Sequence, residues 1–211
     1  MIDASKLSFS FAHKKLFNQI SFEVQAGELL QIQGANGVGK STLLMLIAGL
    51  QTPDSGVISF GKEKNKDVLY RKLHSAYLPA EANGLYLNMD ALHNLKFWTG
   101  LRGISLKIED YYEELKYWGL NHPLLRAEFP VGLFSTGMRR RLSLARIALS
   151  ESICWLLDEP IYGLDQKGIA LFKARLISHL DNGGIAVIIS HDEAFFSGLQ
   201  TKSLKISHDN S

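Results

Sequence analysis

The sequence predicts an α/β fold whose central strands are buried on both faces. Three observations predict it. A short strand at 29–33 runs into a glycine-rich loop and then an apolar helix; two wholly apolar runs, 153–157 and 185–189, flank a helical stretch; and the middle third is rich in helix patterns. Strands apolar throughout suit a sheet covered on both sides.

The N-terminal segment alternates in β fashion over 6–11 and again over 20–24, with polar His13-Lys14-Lys15 between, as an antiparallel hairpin does. Gly27 turns the chain into the strand at 29–33 and the loop at 34–39, after which 40–50 reads as a buried helix closed by Gly49 and Pro53. Strands are expected at 56–60 and 75–78, and helices at 90–103, 106–119 and 138–149, with glycines near several ends. The apolar run at 153–157 ends in Asp158-Glu159 and the run at 185–189 in Ser190-His191, with a helix over 166–180 between them. No internal repeat is present, which excludes two such units in tandem.

A chain of 211 residues, 46% hydrophobic and 21% charged, has globular composition and the length of one α/β domain. The expected division is a core of about 1–83 and 152–211 with a helical subdomain of about 84–151 inserted in it. A net charge of +2 implies no nucleic-acid or lipid footprint, although Arg139, Arg140 and Arg141 form a local basic run, so no nucleic-acid partner is expected. The strongest apolar stretch, 43–50, falls far short of the ~20 residues that span a bilayer, and the first residues lack a basic-then-apolar leader. A soluble, unexported chain is expected. The single cysteine, Cys154, sits in an apolar run and reads as a small core residue, which suits a reducing compartment.

Gly34-Ala35-Asn36-Gly37-Val38-Gly39-Lys40-Ser41 fits the P-loop pattern and occupies the strand-to-helix context that the pattern requires. Glycines let successive backbone N–H groups curl around phosphates, and the helix behind them adds its positive end. Lys40 then reaches the β and γ phosphates, Ser41 can ligate Mg²⁺, and Thr42 completes the nucleotide-binding set with Gly34, Asn36, Gly37 and Gly39. Asp158 and Glu159, at the carboxyl end of a buried strand, sit where open α/β sheets collect ligands. Alone they equally suit a solvated strand end; beside a P-loop, Asp158 holds Mg²⁺ through its water shell and Glu159 acts as general base on the attacking water. His191, weak by itself, becomes in that company a γ-phosphate contact.

Phe134-Ser135-Thr136-Gly137-Met138, followed by Arg139-Arg140-Arg141-Leu142-Ser143-Leu144-Ala145-Arg146, resembles the signature motif of ATP-binding cassette proteins, usually Leu-Ser-Gly-Gly-Gln before a basic helix. On its own the stretch equally suits a capped helix with an arginine-rich exposed face. The order of landmarks is also similar to that family: P-loop, helical region, signature, acidic strand end, Gly163-Leu164-Asp165, His191. The resemblance covers essentially the whole chain. It implies an α/β P-loop NTPase core with an N-terminal antiparallel β subdomain and an inserted helical subdomain, binding ATP and Mg²⁺. It also implies that Phe11 stacks on adenine, that Gly163, Leu164 and Asp165 end the D-loop, and that Ser135 and Gly137 contact the γ-phosphate held by a second domain, most simply in a homodimer.

Where the family carries a glutamine, after Tyr77-Leu78-Pro79, this chain has Glu81 or Ala82 nearby, and Glu81 is the candidate Mg²⁺ ligand there. The signature also departs from the family at Phe134, Thr136 and Met138 while keeping Ser135 and Gly137. The compact length, Ala91-Leu92-His93-Asn94-Leu95-Lys96-Phe97-Trp98, Pro130-Val131-Gly132 and Gly183-Gly184-Ile185 look like the ATP-binding subunits of bacterial haem exporters used in cytochrome c maturation. That likeness implies an ATP-hydrolysing motor on the cytoplasmic face of the inner membrane, coupled to a permease in a separate polypeptide around 84–119. The rival readings are a soluble cassette ATPase not coupled to transport and an exporter of another small molecule.

Overall fold

The computed structural model describes residues 1–12, 14–61, 67–81, 84–121 and 129–207; His13 of the expected hairpin turn and Ala82 lie outside the described residues. The chain forms two compact units, one of Met1–Tyr77, Ser152–Glu159 and Ser178–Ser211, the other of Leu78–Glu151 and Pro160–Ile177. The second unit thus includes 160–177, which the sequence reading placed with the core.

In the first unit, β1 (Ile2–Phe11), β2 (Lys14–Val24) and β4 (Ser55–Phe60) form an antiparallel sheet in the order β2-β1-β4. The hairpin strands run longer than their alternation indicates. Irregular register after Ala4 coincides with positive φ at Lys6 (49°) and Gln19 (50°), and each bulge re-phases which side chains face inward. A second sheet has the order β5 (Ser75–Leu78), β6 (Cys154–Asp158), β7 (Ile185–Ile189), β3 (Leu29–Gln33), β8 (Thr201–Lys205). Pairing is parallel across β6–β7, β7–β3 and β3–β8.

Every residue of β6 and β7 is buried, as their apolar runs require. Cys154 lies in that core, where burial pushes its thiol up, so it is a packing residue. The helix α1 (Lys40–Ile47) buries Leu43, Leu44, Leu46 and Ile47. It stops short of Leu50: the Leu50 N–H reaches back to the Met45 carbonyl at 2.9 Å and Gly49 takes φ 73°, a Schellman ending. A short helix, α2 (Val68–His74), precedes β5.

The second unit is helical. Its α3 (Ala91–Leu101) packs on α4 (Ile108–Tyr117) and α5 (Thr136–Ala148), and a Thr99–Tyr111 hydroxyl contact of 2.6 Å joins α3 to α4. The helix α6 (Gln166–Asp181) begins in this unit and continues into the other. Glu114 of α4 accepts from Arg175 of α6 and, at 2.7 Å, from the Trp118 indole; Arg175 also lies over the Tyr117 ring. Among the described residues no helix is long and apolar enough to cross a membrane.

Candidate active site

β6, β7 and β3 lie side by side and parallel, so their carboxyl ends share one edge of the sheet. There β3 runs into the glycine loop, β6 into Asp158-Glu159 and β7 into Ser190-His191. In register, Asp158 stands opposite Ile189. This is the crevice in which open α/β sheets hold ligands. A cleft of about 310 Å³ opens there. The loop and helix residues Asn36, Gly37, Gly39, Lys40, Ser41 and Thr42 line it together with Asp158, Glu159 and His191.

The loop curls because Gly34, Gly37 and Gly39 all take positive φ, 154°, 77° and 106°. At Gly34 space forbids a side chain as well: a Cβ would lie 2.5 Å from the Ile206 carbonyl oxygen. Gly34 does not line the cleft, but its carbonyl accepts from Lys40 Nζ at 2.8 Å, and the Ala35 carbonyl accepts at 3.0 Å. Lys40 is only 8% exposed, so its charge is held at the start of α1, beside the positive helix end. Cation and helix terminus together form an anion site built for phosphates.

Asp158 is buried at the end of β6. Glu159 follows in the left-handed region, φ 47°, uncommon for a residue with a side chain, and its N–H donates to the Ile189 carbonyl at 2.8 Å. That bond ties the acidic turn to the neighbouring strand two residues before His191. His191 Nε2 lies 3.6 Å from Glu159 Oε1. Tyr77 of β5, which sequence reasoning passed over, is half-buried near this site; burial, reinforced by the Asp158 charge, pushes its phenol up to about 12, so it keeps its proton. Nothing in a lone strand tyrosine announces a neighbouring carboxylate; the sheet order β5-β6 brings the two together.

Phe11 stands at the end of β1, 71% exposed and outside the cleft lining.

The remaining expected residues lie in the second unit. Ser135 is the N-cap of α5, its hydroxyl accepting from the Met138 N–H at 3.2 Å, and it is exposed, so the helix end faces solvent. Gly137 is required by close approach, since a Cβ there would lie 2.7 Å from the Gly163 carbonyl oxygen. Asp165 accepts from the Gly168 N–H at 2.8 Å and from Arg141; these bonds hold its carboxyl below the usual range. Glu81 lines a different cleft, of about 460 Å³, with Tyr86, Trp98 and Arg139. The basic run is not uniformly surface: Arg140 is 2% exposed, which the alternative of an arginine-rich exposed face does not fit. In α5 it shares a helical stripe with buried Ser143, Leu144 and Ile147, a 3.6-residue period that could have revealed it.

Among the described residues no group of three or more His, Cys, Asp and Glu side chains is gathered to hold a metal ion. A hydroxyl (Ser41) and a buried carboxylate (Asp158) in one cleft do fit Mg²⁺, a hard cation that keeps several waters and completes its shell with phosphate oxygens. Bound there, Mg²⁺ would neutralise phosphate charge. The protein's own groups supply an anchored cation at Lys40, a carboxylate at Glu159 and an imidazole at His191, a set suited to phosphoanhydride hydrolysis.

A family model described as ABC transporter matches residues 17–162. The cytochrome c biogenesis ATP-binding export protein CcmA of Vibrio parahaemolyticus is 34% identical over 209 residues, 98% of this chain and 99% of the relative. The protein of that name in Cupriavidus necator is 34% identical over 97% of this chain and 88% of the relative. Among solved structures, an ATP-binding subunit of an ABC transporter superposes with TM-score 0.84 at 24% identity, covering 98% of this chain and 88% of that one. An ABC transporter ATP-binding protein from Pyrococcus furiosus gives TM-score 0.80 at 22% identity, covering 97% and 96%. These two likenesses show the fold.

Proposed function

The chain belongs to the ABC transporter family, as an ATP-binding ATPase subunit, and from that premise we propose that it is the motor of an exporter serving cytochrome c biogenesis. In this reading two copies sandwich two ATP molecules, and a permease carried by another polypeptide follows their closing and opening at the cytoplasmic face of the inner membrane. The cargo is haem or a related maturation factor, moved through the permease rather than held by this chain.

One observation carries the reading: a single cleft gathers Lys40, Ser41, Asp158, Glu159 and His191. Lys40 engages the β and γ phosphates, Glu159 takes the proton of the attacking water, and His191 contacts the γ-phosphate. Ser135 and the amide groups opening α5 of one copy cap the nucleotide on the other copy's P-loop, so ATP itself is the glue. Glu81 is assigned a part in sensing the permease, at the point where the family's glutamine stands. Support for the cargo class comes from the names of relatives that match nearly the whole chain.

Covalently haem-bearing c-type cytochromes, stained in membranes of cells lacking this chain, test the proposal. They should be lost, return with the wild-type chain and stay absent with Glu159→Gln. Normal cytochromes in its absence would overturn the cytochrome reading while leaving the ATPase assignment standing.

A further inference from the structure

We propose that Arg140 is a positioning residue for hydrolysis: one buried guanidinium clamps the backbone just after β5 and the backbone just after Glu159 onto the helix that carries Ser135. Its Nε donates to the Pro160 carbonyl at 3.2 Å and its Nη1 to the Pro79 carbonyl at 3.1 Å. Both acceptors and the arginine belong to the same compact unit. The residue is 2% exposed, a costly place for a cation unless its donors are used. A guanidinium, with several N–H groups in a rigid plane, can serve two carbonyls at once; an ammonium on a flexible stem cannot hold both directions.

The consequence falls on Glu159, and the proposal rests on reading that residue as the general base. Its backbone sits at φ 47°, and a strained residue stays put only where its surroundings over-determine it. On one side its N–H is fixed to the Ile189 carbonyl. On the other side comes Pro160, which has no N–H to contribute but whose carbonyl Arg140 holds. The same side chain holds Pro79, which opens the segment leading to Glu81. Two further ties bind α5 to the segment after Glu159: the ion pair of Arg141 with Asp165 and the close approach of Gly137 to Gly163. A shift of α5 therefore reaches the backbone beside the base without passing through the nucleotide.

The test compares Arg140→Met, which keeps length and removes both donors, with Arg140→Lys, which keeps the charge, in the purified full chain. In Arg140→Met kcat should fall about tenfold while KM for ATP stays within about twofold. MgADP affinity should be unchanged in both variants, and Arg140→Lys should recover part of the rate. A residue that merely supports the fold would lower nucleotide binding and turnover together. Unchanged kcat in either folded variant, or KM rising in step with the loss of kcat, overturns the proposal. Should Arg140→Met fail to fold, Arg140→Lys decides alone: wild-type kcat sinks the clamp. Lys40→Ala and Glu159→Gln are assayed alongside; if both keep full activity, the active-site reading itself has failed and this proposal falls with it.

Discussion

His191 Nε2 stands 3.6 Å from Glu159 Oε1, within reach of electrostatic attraction and beyond that of a hydrogen bond. The imidazole and the carboxylate share the cleft without a hydrogen bond between them.

On the proposed reading of Glu159 as general base, replacing it by Gln keeps the shape and removes the base. Turnover should drop by about 10²–10⁴ while MgATP still binds. The variant should run as a dimer on size exclusion in saturating MgATP, and adding Ser135→Arg should return it to a monomer by placing a bulky cation at the N-cap of α5. A Glu159→Gln chain that stays monomeric at saturating MgATP contradicts the sandwich.

Gly137→Ala asks how tightly the signature turn is packed. The added methyl group meets the Gly163 carbonyl oxygen at 2.7 Å, a backbone atom that no rotamer change can move aside. Overpacking of this kind costs about 1–3 kcal/mol, which urea unfolding would register. Wild-type stability would mean that the turn at 163 yields freely.

His179 gives acid sensitivity a location. Its ring stacks on Trp155 at 4.0 Å and Nε2 meets the Ile185 carbonyl at 3.1 Å. Burial, only partly offset by bonds to backbone carbonyls, holds its pKa below 6.5 in the folded chain. Below 6.5 the unfolded chain therefore binds a proton that the folded chain refuses, and the folded state loses ground. This contribution is present above 6.5 and is lost as pH falls from there through the folded value. His179→Phe keeps the stacking and removes the titration, so its Tm should fall less than wild type's between about pH 7.5 and 5.5. Identical slopes would place the acid lability elsewhere.

What the sequence disclosed follows from where burial leaves a repeating trace. β6 and β7 were readable because every residue in them is covered, and the P-loop because its glycines answer to phosphate geometry. The helix α2 was missed: it is short, Val68, Leu69 and Leu73 are exposed, and Arg71 is its one buried residue, so no apolar stripe marks it. The strand β8 was missed because Thr-Lys-Ser-Leu-Lys, at the sheet edge, needs no alternation of apolar residues to pair with β3. Asp158 and Glu159 end β6 while His191 follows β7, and order along the chain hinted at their meeting; only the register of β6 on β7 puts them in one cleft. Three consecutive arginines do not by themselves tell which is covered; the helix turns the middle one inward.

The left-handed backbone at Glu159 sets chemistry against endurance at a single codon. A side chain there costs about 1 kcal/mol that glycine would not incur, so Glu159→Gly is expected to melt at a higher temperature than wild type and to hydrolyse nothing. A library screened for heat resistance alone would drift toward glycine at this position and discard the enzyme in doing so, while selection for work in the cell keeps the less comfortable residue.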